Sequence, residues 1–413
     1  MRKIIIACFV LFIMLVVTGC GANDDDMPGY NPFDANGQNI NGGNGEPTGN
    51  GNGIDETPNV TPPPTPSPTP APTPRPTMPP EEFVRYNGAI YHVFYHFLAA
   101  WPEIAFSNSY GGSLDRDTIT PTEYWRSLEQ LYANGFVLIN PNRAVTFNEA
   151  GMAVRAPLYL PPGTRPLVMS FDDINYYTRN LGRGTVDKIV LDEHGRLATS
   201  TRIDGVYVIS RDNCIVPLLE KFVEQHPGFS PFGDMGMLAI TGFDGILGYR
   251  TQVGSPNREA EIEAVRPVVA ALLANGWYFA SHGYGHVWMN NVTLDRFRRD
   301  TDQWIDEVAS LVGPTNLFVF PYGDHTYQAQ RAGSEPKFQY LIDNGFNMFF
   351  GVGRRTYNSF RQGFFFQDRA NIDGFSLRAN CPHMTAFFDV DLVYYPPERL
   401  WGQLTHLWHE GRR

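Results

Sequence analysis

The chain beyond residue 82 alternates short apolar runs with longer segments in which apolar residues recur at helical spacing. Runs at 165–171 (RPLVMSF), 237–241 (MLAIT) and 278–282 (YFASH) are typical of buried strands, whereas 120–136 and 261–277 repeat apolar side chains every three or four positions. Strands that alternate with helices predict parallel βαβ units. We therefore expect an α/β fold whose chemistry gathers at the carboxyl ends of the strands.

The same reading places further elements along the chain. Thr120 and Thr122 are candidate N-caps for the helix over 120–136, and Gly135 is its predicted stop. Additional strands are predicted at 89–98, 137–140, 316–323 and 348–352, and additional helices at 216–226, 294–313, 337–346 and 396–411.

Residues 1–20 have the organisation of an export signal. Arg2 and Lys3 precede an apolar stretch that ends in Val17-Thr18-Gly19-Cys20. The Gly-Cys ending resembles a bacterial lipobox, in which cleavage leaves Cys20 as the diacylated first residue. An uncleaved membrane anchor is the alternative. Both readings predict a chain held at the cell membrane on its extracytoplasmic face.

Composition then divides the rest of the chain in two. Residues 21–82 are first Gly/Asn-rich and then a Thr-Pro repeat, so we predict a disordered linker that forms no core. Residues 83–413 have a length that fits one barrel domain. Most of the net charge of −11 lies in the linker, and the mildly acidic domain argues against nucleic-acid binding. Cys214 and Cys381 could form one disulfide.

Side chains that can do chemistry follow three of the predicted strands. Asp172 and Asp173 end the first, His282 and His286 lie four apart after the second, and Tyr322 follows the third. Two imidazoles and a carboxylate can bind Zn²⁺ or a similar ion. Each feature alone is also consistent with a helix cap or an ordinary core histidine. Their coincidence at equivalent strand ends favours a metal site.

These residues resemble the motifs of the polysaccharide deacetylase family, the NodB-homology domain or carbohydrate esterase family four. The family motif T-F-D-D-G is matched by 170–174 (SFDDI), H-[ST]-x-x-H by 281–286 (SHGYGH), and R-x-P-[YF] in part by 319–323 (VFPYG). The resemblance covers roughly 90–380. It implies a distorted (β/α) barrel of the NodB type, with an inserted β-hairpin within 183–208.

The resemblance also implies roles for individual residues. Asp173, His282 and His286 would hold a divalent metal ion, with Zn²⁺ the foremost candidate. Asp172 would be the general base, and a backbone N–H near Tyr322 would stabilise the oxyanion.

The chain departs from the family pattern in two places. Ile174 replaces the glycine of the first motif, and Val319 stands where many members carry the arginine that orients the base. The second departure is typical of a branch of the family whose third motif lacks arginine. Arg369 and Asp373 are then the candidates to support the base.

The general acid is the least defined role. The family takes it from a histidine in a late motif, and His383 is the first candidate here. His409, in the helix predicted over 396–411, is the second candidate, although a packing or surface role fits that helix better.

The predicted function is a hydrolase that removes N-acetyl groups from an extracellular or cell-wall polysaccharide. The expected substrate is peptidoglycan or a poly-N-acetylglucosamine-like glycan, with the lipid anchor at the membrane and no nucleic-acid partner. One alternative is an O-acetyl polysaccharide esterase, since the same chemistry cleaves esters. Another is a catalytically weak glycan-binding lipoprotein, but such a protein would not need both Asp172 and Asp173.

Overall fold

The computed structural model describes residues 82–323 and 336–399. The described strands, in chain order, are β1 (Val84–Tyr86), β2 (Tyr91–Tyr95), β3 (Phe136–Leu138), β4 (Val145–Phe147), β5 (Ala153–Arg155), β6 (Leu158–Leu160), β7 (Arg165–Asp172), β8 (Lys188–Leu191), β9 (Leu197–Ile203), β10 (Val206–Ser210), β11 (Met237–Ile240), β12 (Tyr278–Ser281), β13 (Leu317–Val319), β14 (Met348–Val352), β15 (Asn358–Arg361) and β16 (Phe364–Asn371).

The described helices lie mostly between these strands. They are α1 (Pro102–Ala105), α2 (Gly111–Asp117), α3 (Pro121–Ala133), α4 (Ile215–Gln225), α5 (Arg258–Ala274), α6 (Leu294–Gln303), α7 (Ser310–Val312), α8 (Pro336–Asp343), α9 (Gly374–Arg378) and α10 (Val390–Val393). A π-helical stretch, Trp304–Ala309, joins α6 to α7, so the helix predicted over 294–313 is continuous but not regular.

Seven parallel strands close into a barrel. Their order around the barrel is β7, β11, β12, β13, β14, β16 and β2, and β2 pairs again with β7. Outside this ring, β3 pairs with the start of β7, and β15 runs antiparallel to β16. The predicted (β/α) barrel is confirmed.

Strand alternation divides the core into two layers. Side chains on one face of the barrel strands, such as Val168, Phe350 and Phe365, fill the barrel interior. Side chains on the opposite face, such as Met169 and Phe171, pack against the surrounding helices. Because successive strand residues point to opposite faces, both layers come from the same short apolar runs.

The end signals of helix α3 act as the sequence predicts. Thr120 is the N-cap: its hydroxyl accepts from the N–H of Glu123, whose carboxylate accepts from the N–H of Thr120. Gly135, with φ at +75°, follows the end of this helix.

The insertion after β7 differs from the predicted hairpin. Strands β8, β9 and β10 form a three-stranded antiparallel sheet, because the chain turns back a second time at Asp204 and Gly205. This sheet lies against α4 and α5.

The barrel has an incomplete seam between β16 and β2. The two strands pair only at their carboxyl ends, where Ala370 and Asn371 meet β2. Below that point, side-chain amides replace the backbone ladder: Asn358 exchanges two hydrogen bonds with the backbone of Ile90, and Gln367 donates a third to Ile90 O. Polar side chains therefore enter the interior at this seam.

The predictions about the disulfide, the membrane anchor and the chain ends have the following outcomes. Cys214 is a buried free thiol, so it does not pair with Cys381. No helix within residues 82–323 and 336–399 is long and apolar enough to cross a membrane. The signal segment with Cys20, the linker up to residue 81, and the terminal histidine His409 lie outside the described residues.

Candidate active site

Four barrel strands bring polar side chains to the carboxyl end of the barrel. Strand β7 ends in Asp172 and is followed by Asp173, β2 is followed by His96, and β12 by His282. Arg369 lies near the end of β16. The predicted acids and histidines therefore meet at one edge, as parallel strands require.

Asp173, His282 and His286 form a cluster with the geometry of a metal site. One ligand atom from each residue lies within 4.8 Å of the other two. His286 Nε2 lies 3.9 Å from Asp173 Oδ2. Two imidazole nitrogens and a carboxylate oxygen at such spacing are a donor set that Zn²⁺ accepts, with coordination positions left for water or substrate.

Neighbouring groups orient these ligand atoms. His282 Nδ1 lies 2.9 Å from the carbonyl oxygen of Val319, which can only accept, so Nδ1 carries the proton and Nε2 keeps its lone pair. The hydroxyl of Tyr177 donates to Asp173 Oδ1 at 2.5 Å and leaves Oδ2 toward His286. The residues present thus fit a bound divalent ion.

Electrostatics also prepare the cluster for a cation. Burial opposes the charge of Asp173, but His286, His282 and His96 outweigh it and hold the pKa of this carboxyl well below its usual range. Burial lowers the pKa of His286 to about 4, only partly offset by Asp173. At neutral pH the cluster therefore contains a carboxylate and a neutral His286, the protonation states that a metal ligand needs.

Three residues at this edge adopt left-handed backbone conformations. The φ angle is +60° at Asp173, +51° at His286 and +59° at Tyr322. Non-glycine residues rarely adopt such angles, and they cluster at functional sites where the surrounding fold imposes them. At Asp173 the turn away from strand β7 separates its side chain from that of its neighbour Asp172.

Asp172 has a different environment. It is buried, and both of its oxygens accept from Arg369, at 2.7 Å from Nη1 and 2.9 Å from Nη2. Burial alone would raise the pKa of Asp172, but the guanidinium of Arg369 and then His282 keep it below the usual value. Arg369 thus places a guanidinium from β16 against Asp172, which is the contact that the family resemblance expects from an arginine at the position of Val319 on β13.

The cluster of Asp173, His282 and His286, called the metal-type cluster below, lies beside a cavity that is lined in part by aromatic side chains. Asp173 and His286 line its floor. Tyr177, Phe243 and Tyr322 also line this cavity. Tyr177 stacks on Phe243, with centroids 4.9 Å apart, and Tyr322 stacks on Trp288 at 4.0 Å with an interplanar angle of 6°. Parallel aromatic faces suit the apolar faces of sugar rings.

His96 is a site residue that the sequence analysis did not single out. It lines the same cavity, and its charge bears on both Asp172 and Asp173. Its buried Nδ1 has no hydrogen-bond partner among the described residues. The signal was present in the sequence, since His96 follows the apolar run 91–95 just as Asp172 ends its own run.

The structure places two predicted residues elsewhere. His383 lies in a 3₁₀ turn, its Nε2 is 3.1 Å from the carbonyl oxygen of Asn371, and it lines a separate cavity with Arg354 and Asp368. This position does not support His383 as the general acid. The family motif order predicts a histidine from the carboxyl-terminal part of the chain. The histidine that lines the cavity, His96, instead follows β2.

Asp373 is the second of these residues. Its side chain caps α9 by accepting from the N–H of Ser376, and it also accepts from the amide of Asn371. No described hydrogen bond joins Asp373 to Asp172 or Arg369. Of the two predicted supports for the base, the structure therefore brings only Arg369 to it.

The residues after Asp173 explain the loss of the motif glycine. Ile174 is fully buried in the core around the barrel. Asn175 then fixes the loop, since its side chain donates to the carbonyls of Thr241 and Gly245 and accepts from the N–H of Thr241. A packed side chain thus replaces the flexibility that glycine would give.

Comparison with known proteins gives one family match. The polysaccharide deacetylase family model matches residues 253–341. This stretch contains His282, His286 and Tyr322, while Asp172 and Asp173 lie before it. No curated protein matches the sequence.

Three solved structures are similar at low identity. They are the Streptococcus pyogenes deacetylase PplD in complex with acetate (12% identity, 74% of this chain and 100% of that one, TM-score 0.41), a de-N-acetylase from Aggregatibacter actinomycetemcomitans (14%, 70% and 96%, TM-score 0.36), and the deacetylase domain of BpsB from Bordetella bronchiseptica (13%, 59% and 82%, TM-score 0.31). Because these values are low, the assignment depends on the family match and the site residues.

The family match supplies the second and third motifs, and the barrel places the first motif beside them. The predicted family and the predicted class of hydrolase are therefore confirmed. Residues 253–341 thus match the polysaccharide deacetylase family, which is the family that the sequence motifs predict.

Proposed function

We propose that the protein is a metal-dependent N-deacetylase that acts on an N-acetylated glycan outside the cytoplasm. One observation carries the proposal: Asp173, His282 and His286 form a cluster beside a cavity that Asp173 and His286 line, while the adjacent Asp172 is held apart by Arg369. A site with one ligating and one non-ligating carboxylate separates metal binding from proton transfer.

Asp173, His282 and His286 would hold the ion, with Zn²⁺ the best match to two imidazoles and a carboxylate. When bound, the ion supplies Lewis-acid chemistry, acidifying water and polarising a carbonyl oxygen. Asp172, ionised at neutral pH, takes the proton from the attacking water. The bidentate contact with Arg369 keeps the Asp172 carboxylate in place during this transfer.

The remaining steps belong to the cavity walls. A backbone N–H near Tyr322 would donate to the developing oxyanion, in a loop that is already fixed by its left-handed turn. His96 replaces His383 as our candidate for the acid that protonates the leaving nitrogen, because it lines the cavity and its Nδ1 has no described partner. An amine must be protonated to leave, so a nearby acid favours amide cleavage.

The direct test is acetate release from N-acetylglucosamine oligomers by the purified protein, with Zn²⁺ supplied after chelation. We expect activity in the wild type and a loss of at least about 100-fold in Asp172→Asn, the lower end of general-base contributions. An O-acetylated xylan, assayed in parallel, measures the esterase alternative. Full activity of Asp172→Asn on the oligomers would contradict the proposed base.

His96 has its own test within the same assay. His96→Gln should lower the rate of acetate release by about 100-fold, while His383→Gln should leave it within about twofold. If His383→Gln were the damaging variant, the assignment of the acid to His96 would be wrong.

We further propose that the enzyme is anchored by a lipid on Cys20 and faces the cell wall, with peptidoglycan or a poly-N-acetylglucosamine-like polymer as its substrate. The support is the signal-like sequence of residues 1–20 and the Thr-Pro linker. Metabolic labelling with an alkyne fatty acid should label the wild type and not Cys20→Ser. Labelling of both proteins, or of neither, would contradict the lipid anchor.

A further inference from the structure

A chain of buried polar side chains runs through the barrel interior and ends at Asp172. It begins at the seam between β16 and β2, and no member is more than 3% exposed. Its members, in order, are Gln367, His92, Ser170, Arg369 and Asp172, joined by hydrogen bonds of 2.9, 2.9, 3.0 and 2.7 Å.

The direction of each hydrogen bond follows from the chemistry of the groups. Gln367 donates its Nε2 to the carbonyl oxygen of Ile90, so its Oε1 faces His92 and must accept from Nδ1–H. Burial and then the charge of Arg369 hold the pKa of His92 well below its usual value, so the ring is neutral and Nε2 is an acceptor. Ser170 O–H therefore donates to His92 Nε2.

The last two links set the position of Arg369. With its proton directed toward His92, Ser170 Oγ presents a lone pair to Arg369 Nη1. Arg369 Nε donates to the carbonyl oxygen of Gly351 at 3.1 Å. These two contacts fix the guanidinium plane, and the remaining Nη hydrogens point at the two oxygens of Asp172.

Burying polar groups at this depth costs free energy unless they are hydrogen-bonded, and an apolar interior would avoid that cost. The rest of the barrel interior is packed with apolar side chains such as Val168 and Phe350. No described hydrogen bond joins Gln367, His92 or Ser170 to the metal-type cluster. None of the three lines the cavity beside that cluster. Their shared end point is the Arg369–Asp172 pair.

We propose that His92 and Ser170 are positioning residues for deacetylation, which orient Arg369 and, through it, the carboxylate of Asp172. The inference depends on the proposed function in one respect, namely that Asp172 acts as the base. It adds two residues, contributed by β2 and β7, that support the base from the barrel interior.

Two removals and two conservative replacements test the proposal. Ser170→Ala deletes one oxygen and His92→Phe keeps an aromatic ring, but each removes a link from the series of hydrogen bonds that ends at Asp172. Ser170→Thr, which restores the threonine of the family motif, and His92→Gln, which can both donate and accept, should preserve it. The matched control is Ser127→Ala: Ser127 is equally buried and bonds Tyr95 of β2, on the helix-facing side of the barrel.

In assays of acetate release from N-acetylglucosamine hexamer with Zn²⁺, Ser170→Ala and His92→Phe should lower kcat by about 10- to 100-fold. We expect KM and the Zn²⁺ affinity measured by calorimetry to change by less than about twofold, because the removed groups contact neither substrate nor ligand atoms. Ser170→Thr and His92→Gln should recover most of the rate, and Ser127→Ala should match the wild type. Wild-type kcat in both removal variants would overturn the proposal.

Crystal structures of the wild type, Ser170→Ala and His92→Phe give a readout that does not depend on activity. We expect the Arg369 guanidinium to rotate and the two-point contact with Asp172 to be lost in both variants. Unchanged Arg369–Asp172 geometry would overturn the proposal even if the wild type released no acetate. Absence of acetate release by the wild type, with the contact displaced in the variants, would instead refute the proposed function alone.

Discussion

At the scale of single residues, two adjacent aspartates differ because their neighbours differ. Asp172 ends strand β7, points into the barrel and meets the guanidinium of Arg369. Asp173 turns through a positive φ and meets His286 and the hydroxyl of Tyr177. Opposite charges or donors on each side relieve the repulsion that the bare sequence implies.

The Arg369–Asp172 pair gives a stability prediction. Arg369→Met keeps much of the side-chain volume but leaves a buried carboxylate without its counter-charge. The free energy of unfolding should fall by about 3–5 kcal/mol, measured by urea denaturation at pH 7. The double variant Arg369→Met/Asp172→Asn should recover part of this loss, and a single-variant loss below about 1 kcal/mol would contradict the assigned pairing.

Asp368, next to Arg369 on the opposite face of β16, gives a pH prediction. Burial raises its pKa to about 6, with Arg369 acting in the opposite direction. The folded state then binds the proton more tightly than the unfolded chain, so the stability that Asp368 contributes is full below about pH 4 and falls as the pH rises through about 6.

Asp368→Asn removes this titration. The unfolding free energy of the wild type relative to Asp368→Asn should therefore decrease between pH 4 and pH 7 in urea titrations. A difference that stays constant across this range would show that the carboxyl is not perturbed in the folded protein.

The sequence predicts part of the site because the ligand-type residues follow apolar runs. Asp172, Asp173, His282 and His286 are found in this way. His96 follows the same rule, yet the family motif order points toward His383 instead. The role of Arg369 depends on a strand pairing across the barrel, which no local pattern contains.

At the scale of elements, the loop after β12 depends on a helix. The carboxylate of Asp300 in α6 accepts from the N–H groups of Tyr284 and Gly285, both at 2.8 Å, between His282 and His286. The helix thereby sets the distance between the two histidines. Holding a ligand loop through an outer residue in this way is typical of metal sites.

Removing the Asp300 contacts should weaken metal binding. Asp300→Ala should reduce Zn²⁺ affinity by about 10- to 100-fold, measured by isothermal titration calorimetry on the apoprotein. Asp295→Ala is the matched control, because Asp295 lies on the same helix with an exposed side chain. Equal affinities of Asp300→Ala and wild type would show that the loop holds its shape without this carboxylate.

Elements with strong local signals are the ones that the sequence predicts. Thr120 and Glu123 cap α3, and the apolar runs become β7, β11 and β12. Strand β16, which reads FFFQDRAN, is missed because Gln367 and Arg369 interrupt its apolar pattern. Both side chains belong to the buried hydrogen-bonded network inside the barrel, so strand propensity does not account for them.

At the scale of the whole molecule, a buried ion network ties the end of the described chain to the cavity wall. The guanidinium of Arg399 pairs with Glu123 in α3 and donates to the carbonyls of Asp115 and Thr118 around α2. Residues of α2 line the cavity. The chain near residue 399 thus helps to fix one side of this cavity.

Arg399→Met should leave Glu123 buried without its partner and lower the free energy of unfolding by about 3–5 kcal/mol. Arg399→Met/Glu123→Gln should recover part of this loss. The control is Arg266→Met, since Arg266 pairs with Glu263 on the surface and should contribute less than about 1 kcal/mol. Urea denaturation of the four proteins decides the outcome, and equal losses in Arg399→Met and Arg266→Met would contradict the buried network.

The central claim is that the cluster of Asp173, His282 and His286 makes the protein a metal-dependent deacetylase. The most direct measurement combines metal content by mass spectrometry with acetate release from N-acetylglucosamine oligomers, before and after chelation, for the wild type and His286→Ala. We predict one Zn²⁺ per wild-type chain, activity that is lost on chelation and restored by Zn²⁺, and neither metal nor activity in His286→Ala. Acetate release that persists in the metal-free wild type would contradict the account.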